Sequence, residues 1–241
     1  MFNTMKKFVC SLSIIMASVA LTFAQTAEEI LTKSIEARGG AAKLNSLKSM
    51  RMESTTSVMG MDLASKSVIV HKRGMRNDIE VMGQSIVMTI DGDKGWTINP
   101  MQGSDPVALP EDQVKASTSQ LDLSGMANYK ESGSVAELIG TETLDGNEVY
   151  KVKITSKDGM IITNYIDKKT YLTAKTSVKV TVSGQAVEVD SKLSNYKVVD
   201  GIAFPHTTEI SNPQAGQIVT TIRKIEINPA IDESIFAMPK K

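Results

Sequence analysis

Cysteine is nearly absent from this chain. The 241 residues hold one, Cys10, inside an apolar run near the start. That excludes an internal disulfide and leaves no thiolate pair to hold a metal. Histidine is almost as scarce. His71 and His206 are the only two, and neither has a second ligand close by at metal spacing. Charge of one sign is also missing, with 27 basic residues against 27 acidic ones and no long basic run. Nucleic acid and anionic membrane surfaces therefore lose their usual electrostatic driver. After the first stretch no second long apolar run appears, so no later segment is expected to span a membrane. Aromatics make up 5% of the chain, and Trp96 is the only tryptophan.

What is present begins with "MFNTMKKFVCSLSIIMASVALTFAQ". Lys6 and Lys7 precede an apolar run from Phe8 to about Leu21, and Thr22-Phe23-Ala24 follows. This layout predicts a signal peptide over 1–24, cut before Gln25. The run is shorter than the roughly 20 residues that a membrane span needs. Cys10 has no Leu-Ala-Gly before it, so no lipid anchor is expected. Taking 24 of the 241 residues away leaves 217, and taking Lys6 and Lys7 leaves 25 basic residues against 27 acidic, a net charge of −2. A chain of this size buries roughly 70% of its unfolded surface and needs no covalent staple. The expectation is one exported domain, 25–241, in the periplasm.

Thr26-Ala27-Glu28-Glu29 has the form of a capping box, and Ala27, Ile30, Leu31, Ser34 and Ile35 then fall on one helical face that ends at Gly39-Gly40. "AAKLNSLKSM" extends the helical start by a turn or two. From Lys48 the period becomes two. Met50, Met52 and Val58 alternate with Arg51, Glu53 and Thr55, and Met75, Ile79 and Val81 with Arg76, Asp78 and Glu80. Ile86, Met88 and Ile90 form a third apolar phase, and the pattern returns after 146 with Tyr150, Val152 and Ile154 and with Leu172, Ala174, Val178, Val180 and Val182. Such alternation predicts antiparallel strands with one apolar face, about ten of them, separated by Gly-containing turns. The phase slips near Leu193–Tyr196 and near Ile222–Ile225, which predicts bulges and a strongly curved sheet. Residues 100–132 carry Pro100, Pro106 and Pro110 and leave this rhythm, as an excursion that packs on the sheet or covers it.

Candidate chemistry is thin. "DGDKG" at Asp91–Gly95 begins like a calcium loop, but its fifth position is Gly95 and its twelfth is Gln102, so a hairpin turn fits better. Ser194 to Lys197 fits Ser-x-x-Lys, without the companion motifs of acyl-enzymes. The acids alternate with apolar residues as solvent-facing strand positions do, although two could meet across a sheet as a catalytic pair. No cofactor or metal is expected, and the chain is read as a non-enzyme. Eleven methionines remain beyond residue 24, with only Phe204 and Phe236 for phenylalanine. Methionine suits apolar surfaces that must fit more than one shape, and it also fills ordinary cores.

Several short motifs carry a family resemblance. "IDGDKGWTINP", Ile90 to Pro100, resembles a strand–turn–strand of periplasmic lipoprotein carriers of the LolA type. "VHKRGMRNDIE" stands where that family has Val-Lys-Arg-Pro, with Gly74 in place of the proline. "YIDKKTYLTAKTSV", "SNYKVVDGIAFP" and "IEINPAIDESIFAMP" resemble later elements of the superfamily, so the likeness runs over nearly the whole chain after residue 24. It implies a mainly β, α+β fold: a highly curved antiparallel sheet forming an incomplete barrel, closed by the N-terminal and inserted helices over a hydrophobic cavity. It implies binding or carriage of lipid or the acyl chains of lipoproteins, with inner- and outer-membrane proteins as partners and without stable membrane insertion. If the sheet is such a half-barrel, Met50, Met52, Ile69, Ile79, Val81, Ile86, Met88, Ile90 and Trp96 are expected to line its hollow. Ile30, Leu31 and Ile35 are expected above them as a lid. Arg73 matches the carriers' arginine and is expected to hold the mouth shut through a backbone carbonyl of a covering helix. The alternatives are an envelope sensor or protein-interaction module of the same fold, and an exported hydrolase using an acid pair.

Overall fold

The computed structural model describes residues 25–157, 159–182, 185–212 and 216–239. The expected signal peptide, 1–24, lies outside the described residues. Helix α1, Ala27–Ala37, starts as the sequence predicts: the Thr26 hydroxyl accepts from the Glu29 amide, and the Glu29 carboxylate accepts from the Thr26 amide. Helix α2 is a short turn, Ala41–Asn45.

Thirteen strands follow. The first six are β1 (Ser49–Val58), β2 (Met61–Val70), β3 (Gly74–Val81), β4 (Gln84–Asp91), β5 (Lys94–Asn99) and β6 (Gly103–Ala108). A crossing segment then holds α3 (Glu111–Thr118) and two 3₁₀ turns, Ser119–Leu121 and Gly125–Asn128. The remainder are β7 (Val135–Leu144), β8 (Asn147–Thr155), β9 (Ile161–Asp167), β10 (Thr173–Val182), β11 (Gln185–Val199), β12 (Ile202–Asn212) and β13 (Gly216–Ile227), with a last 3₁₀ turn at Glu233–Phe236. All pairings are antiparallel, in the order β6-β5-β4-β3-β2-β1-β13-β12-β11-β10-β9-β8-β7. The sheet is open, with β6 and β7 as its edges. It consists of two meanders joined where β1 meets β13.

Thirteen strands replace the expected ten or so, partly because residues 103–108 pair despite Pro106. An edge strand tolerates a proline, since one side of its backbone has no ladder to feed. The slip near 222–225 is a bulge: Glu53 faces Lys224 and Ser54 faces Ile222, leaving Arg223 extra. At Asn195 the backbone turns left-handed, φ 54°, and pairing to β12 skips one position without changing register.

Segment 109–134 runs from one sheet edge to the other, so it must cross a face. That inner face carries three packed zones. Ile30 and Leu31 of α1 cover Val152, Ile154 and Ile166. Leu44, Leu47 and Leu123 cover Met50, Ile202, Phe204 and Ile225, with Ile35 beside them. Val114 and Leu121 cover Met75 and Ile90.

Candidate functional site

Strand register places the predicted apolar phase. Ile227, Met50, Ile69, Met75 and Ile90 form one lateral row across five strands. Met52 and Met88 stand in the next row, and Ile79 and Ile86 in the one after. Eight of the nine predicted lining residues therefore share the inner face. Trp96 does not. It pairs with Thr89, one position out of phase with Met88 and Ile90, and points to the outer face. There its indole N–H donates to the Phe236 carbonyl at 2.8 Å and the Arg76 guanidinium lies 6.0 Å from its ring. The turn at Asp91–Lys94 ends one phase and begins another, which alternation within either strand does not reveal. Gly74 serves the same outer packing, since a Cβ there would stand 3.2 Å from the Phe236 ring and 2.8 Å from the Ile90 carbonyl oxygen.

Near the helices the face of the first hairpins is packed. Met50, Met52, Ile69, Met88 and Ile90 pack beneath Val114, Leu121 and Leu123 as core. Ile79, Val81 and Ile86 lie beyond that cover, half-buried. Between them the same face carries hydroxyl and amide groups bonded to one another: Ser67 to Asn77 at 2.9 Å, Ser54 with Ser65 at 2.7 Å and Thr56 with Thr220 at 3.0 Å.

The lid is also placed differently. Ile30 and Leu31 sit over β8 and β9, in the other half of the sheet, while Ile35 reaches the cluster around Met50. Strand β1 is central, so the helix before it can lie over either meander, and a helical face alone does not say which. Among the described residues the Arg73 side chain bonds carboxylates and not a helix carbonyl. Its guanidinium bonds Asp91 and lies 3.3 Å from Glu233, with 44% of the side chain exposed. It ties the start of β3 to the C-terminal segment. Arg76 is the arginine that reaches a backbone carbonyl, that of Ile235 at 3.4 Å, on the outer face.

A more apolar space opens in the second meander. A cleft of about 430 Å³ lies between the Gly125–Asn128 turn and strands β8 to β10. Met126, Tyr129, Ile154, Met160, Ile162 and Val178 supply its apolar wall. Asp122, Asn164, Thr176 and serines 132, 134 and 156 are its polar members, so one carboxylate lines it and no second. Asn164 is the inward-phase residue between Ile162 and Ile166. It is 4% exposed, and its Nδ2 has no hydrogen-bond partner among the described residues. A buried amide donor left open in an apolar wall is costly unless something else accepts from it. The sequence signal for it was a polar residue on an otherwise apolar phase.

The roof of this cleft is pinned by polar contacts. Asn45 and Asn128 exchange side-chain amide bonds at 2.9 and 2.8 Å. The Leu121 carbonyl accepts from the Lys72 amide at 2.9 Å, and His71 Nδ1 accepts from the Leu123 amide at 3.1 Å. Asp122 accepts from the Ser124 amide and hydroxyl and lies 3.6 Å from Lys72 Nζ. Burial pushes its carboxyl up, but the Ser124 bonds and the charge of Lys72 outweigh this and hold it below the usual carboxylate range. Among the described residues no group of three or more His, Cys, Asp or Glu is arranged to hold a metal ion, and no helix is long and apolar enough to cross a membrane.

No curated protein matches significantly. Many solved structures match, three of them as follows. A LolA superfamily protein from Nitrosomonas europaea is 17% identical, with 89% of this chain and 98% of that one covered and a TM-score of 0.57. A DUF1329 family protein from Desulfovibrio piger is 14% identical, with 89% and 98% covered and a TM-score of 0.60. An outer membrane lipoprotein-sorting protein domain from Vibrio parahaemolyticus is 14% identical, with 87% and 97% covered and a TM-score of 0.56. At such identities the likeness concerns the fold. A family model described only as "uncharacterized protein" matches residues 114–240, just over half of the chain. The chain thus belongs to the family of that model, and its fold is LolA-like.

Proposed function

We propose that this protein is a non-enzymatic periplasmic binder or carrier of an acyl or lipid-like ligand. Residues 25–241 act as its single domain once 1–24 are removed. The observation that carries the reading is the half-enclosed cleft over β8–β10, walled by Met126, Ile154, Ile162 and Val178. Its volume falls in the range of small-molecule sites, and such sites combine an apolar wall with few polar groups. Asn164 gives it one polar anchor, a free amide N–H suited to the carbonyl of an ester or carboxylic acid. The fold shared with a lipoprotein-sorting domain supports acyl chains as the guest class. Ligand transfer would then involve inner- and outer-membrane proteins.

Each buried CH₂ contributes roughly 0.8 kcal/mol, so ten carbons supply on the order of 8 kcal/mol before the cost of association. The expected result is micromolar binding of a dansyl-labelled fatty acid to delipidated protein, tightening as the chain lengthens. Ile162→Glu should weaken it strongly, because the cleft already holds the Asp122 carboxylate and no cation among its lining residues, so a second buried negative charge has no partner. Met88→Arg should destabilise the fold instead, since Met88 packs in a different zone. Absence of binding at every chain length, or equal binding by the Ile162 variant, refutes the reading.

A further inference from the structure

Five of the eleven methionines beyond residue 24 gather at one end of the sheet. Strand β1 leaves the helices at Ser49 and reaches the opposite end at Val58. The β1–β2, β3–β4 and β5–β6 turns therefore all fall at the end away from the helices. They carry Met59 and Met61, Met82, and Met101. Met160 precedes β9 at the same end. Met59 is 73% exposed, Met82 86%, Met101 53% and Met61 44%.

Turn geometry does not account for these residues and in fact opposes them. Met59-Gly60 has φ values of 51° and 77°, and Met82-Gly83 the same two values. A side chain as large as methionine rarely adopts that left-handed region, whereas Asp and Asn adopt it readily. The chain uses this rule elsewhere. Asp145-Gly146, with φ 49° and 82°, and Asp200-Gly201, with 50° and 79°, make the same kind of turn at the helix end. Two tight turns at the helix end are thus Asp-Gly, and two successive hairpins at the other end use Met-Gly in the same conformation. Exposed methionine in an unfavourable conformation, twice over, implies a role outside the fold.

The flanks point to the occupant. Residues 55–64, 78–87 and 97–107 include Asp62, Asp78, Glu80 and Asp105, and no lysine or arginine. Asp78 is paired with Arg76, and Glu80 lies next to the Val81–Gln84 closing pair of its turn. An acidic rim repels anionic lipid and attracts cations. Flexible thioethers adapt to apolar surfaces of differing shape. Adjacent strands are about 4.8 Å apart, so neighbouring hairpin tips stand roughly 10 Å apart. That matches two turns of an α-helix, about 10.8 Å. We propose that this methionine rim docks an apolar helical segment with basic flanks, displayed by a second polypeptide. The proposal stands whether or not the cleft over β8–β10 takes an acyl chain.

The test is the full chain carrying Met59→Asn and Met82→Asn together. Asparagine suits the left-handed position, so Tm should hold or rise, which separates this change from unfolding. The probe is a fluorescein-labelled amphipathic Leu/Lys peptide of about 18 residues, long enough for stable helix. A Leu/Glu peptide of the same pattern is the control. The unmodified protein should bind the Leu/Lys peptide, and both the double variant and the Leu/Glu control should bind at least about tenfold more weakly, a difference of about 1.4 kcal/mol. Binding of the fatty-acid probe should be unchanged in the variant, so failure here is distinct from failure of the cleft. No peptide binding, equal affinity in the variant, or equal affinity for the Leu/Glu control overturns the proposal. So does flotation with phosphatidylcholine vesicles that the variant loses while peptide binding survives, which would make the rim a lipid surface.

Discussion

Ser177 is 2% exposed and donates its hydroxyl to Asp190, which also lies 2.8 Å from Lys175 Nζ. Burial pushes the Asp190 carboxyl up, but Lys175 and Ser177 prevail and hold it below the usual range. A depressed carboxyl stabilises the fold fully above its unfolded pKa, about 3.9, and loses that contribution as pH falls through the folded value. Asp190→Asn should therefore lower Tm at pH 7, with the gap to the parent closing as pH falls below about 4. Thermal unfolding of both proteins from pH 7 downward checks it, and a gap that stays constant would remove the charge from the explanation. Arg73 allows a second test at this scale. It is solvated and bound to two carboxylates, so Arg73→Leu should cost little stability and leave acyl uptake unchanged. Slower or faster fatty-acid exchange in that variant would restore it to a gate. The sequence marked Arg73 by position in a motif but could not name its partners, because Glu233 lies 160 residues away and no local pattern links them. Asn228 shows the converse. Its side chain accepts from the Lys48 amide at 2.7 Å and donates to the Ser46 carbonyl at 3.1 Å, so the Asn of the closing motif serves the start of β1.

The crossing segment is the element on which access to the cleft depends. It is held to α2 through the Asn45–Asn128 amide pair and to α1 through the Lys130–Glu28 ion pair. Asn128→Ala removes two mutual hydrogen bonds from an exposed site, a loss of roughly 1 kcal/mol. It should speed fatty-acid release in stopped-flow displacement and raise amide exchange across 122–134, with little effect on exchange in β1 and β13. Unaltered release would show that the turn is not what limits exchange. At this scale the sequence was informative where local chemistry decides. The capping box set the start of α1, and alternation found the strands of both meanders. It was uninformative where an edge or a phase change decides, as with β6 behind Pro106 and with Trp96 across the β4–β5 turn.

The whole molecule divides its work between two faces and two ends. The outer face of the second meander is laced with ion pairs, among them Glu142 with Lys151 at 2.9 Å and Lys175 with Asp190. Lys151, Lys153, Lys175 and Lys179 alternate with the apolar residues in the sequence and mark that solvated face. The inner face is packed near the helices and half-exposed further on. Alternation told which residues share a face, but strand order told which half of that face is roofed and which is open, and strand order was not legible. Nothing local says that β1 should lie beside β13.

That adjacency governs how the molecule is made. Met50 and Ile227 are partners about 180 residues apart in the sequence. Each meander can assemble from neighbouring hairpins as it emerges, because its pairings are local. Strand β1 nonetheless keeps one bare edge until 216–227 has been synthesised. The join is a late closure of the longest loop in the protein, and such long-range pairing slows folding. Until then a half-built sheet presents an unpaired, partly apolar strand edge, the form of intermediate most prone to join another chain. Efficient production of this protein thus depends on holding the first meander apart from its neighbours until the last strand arrives.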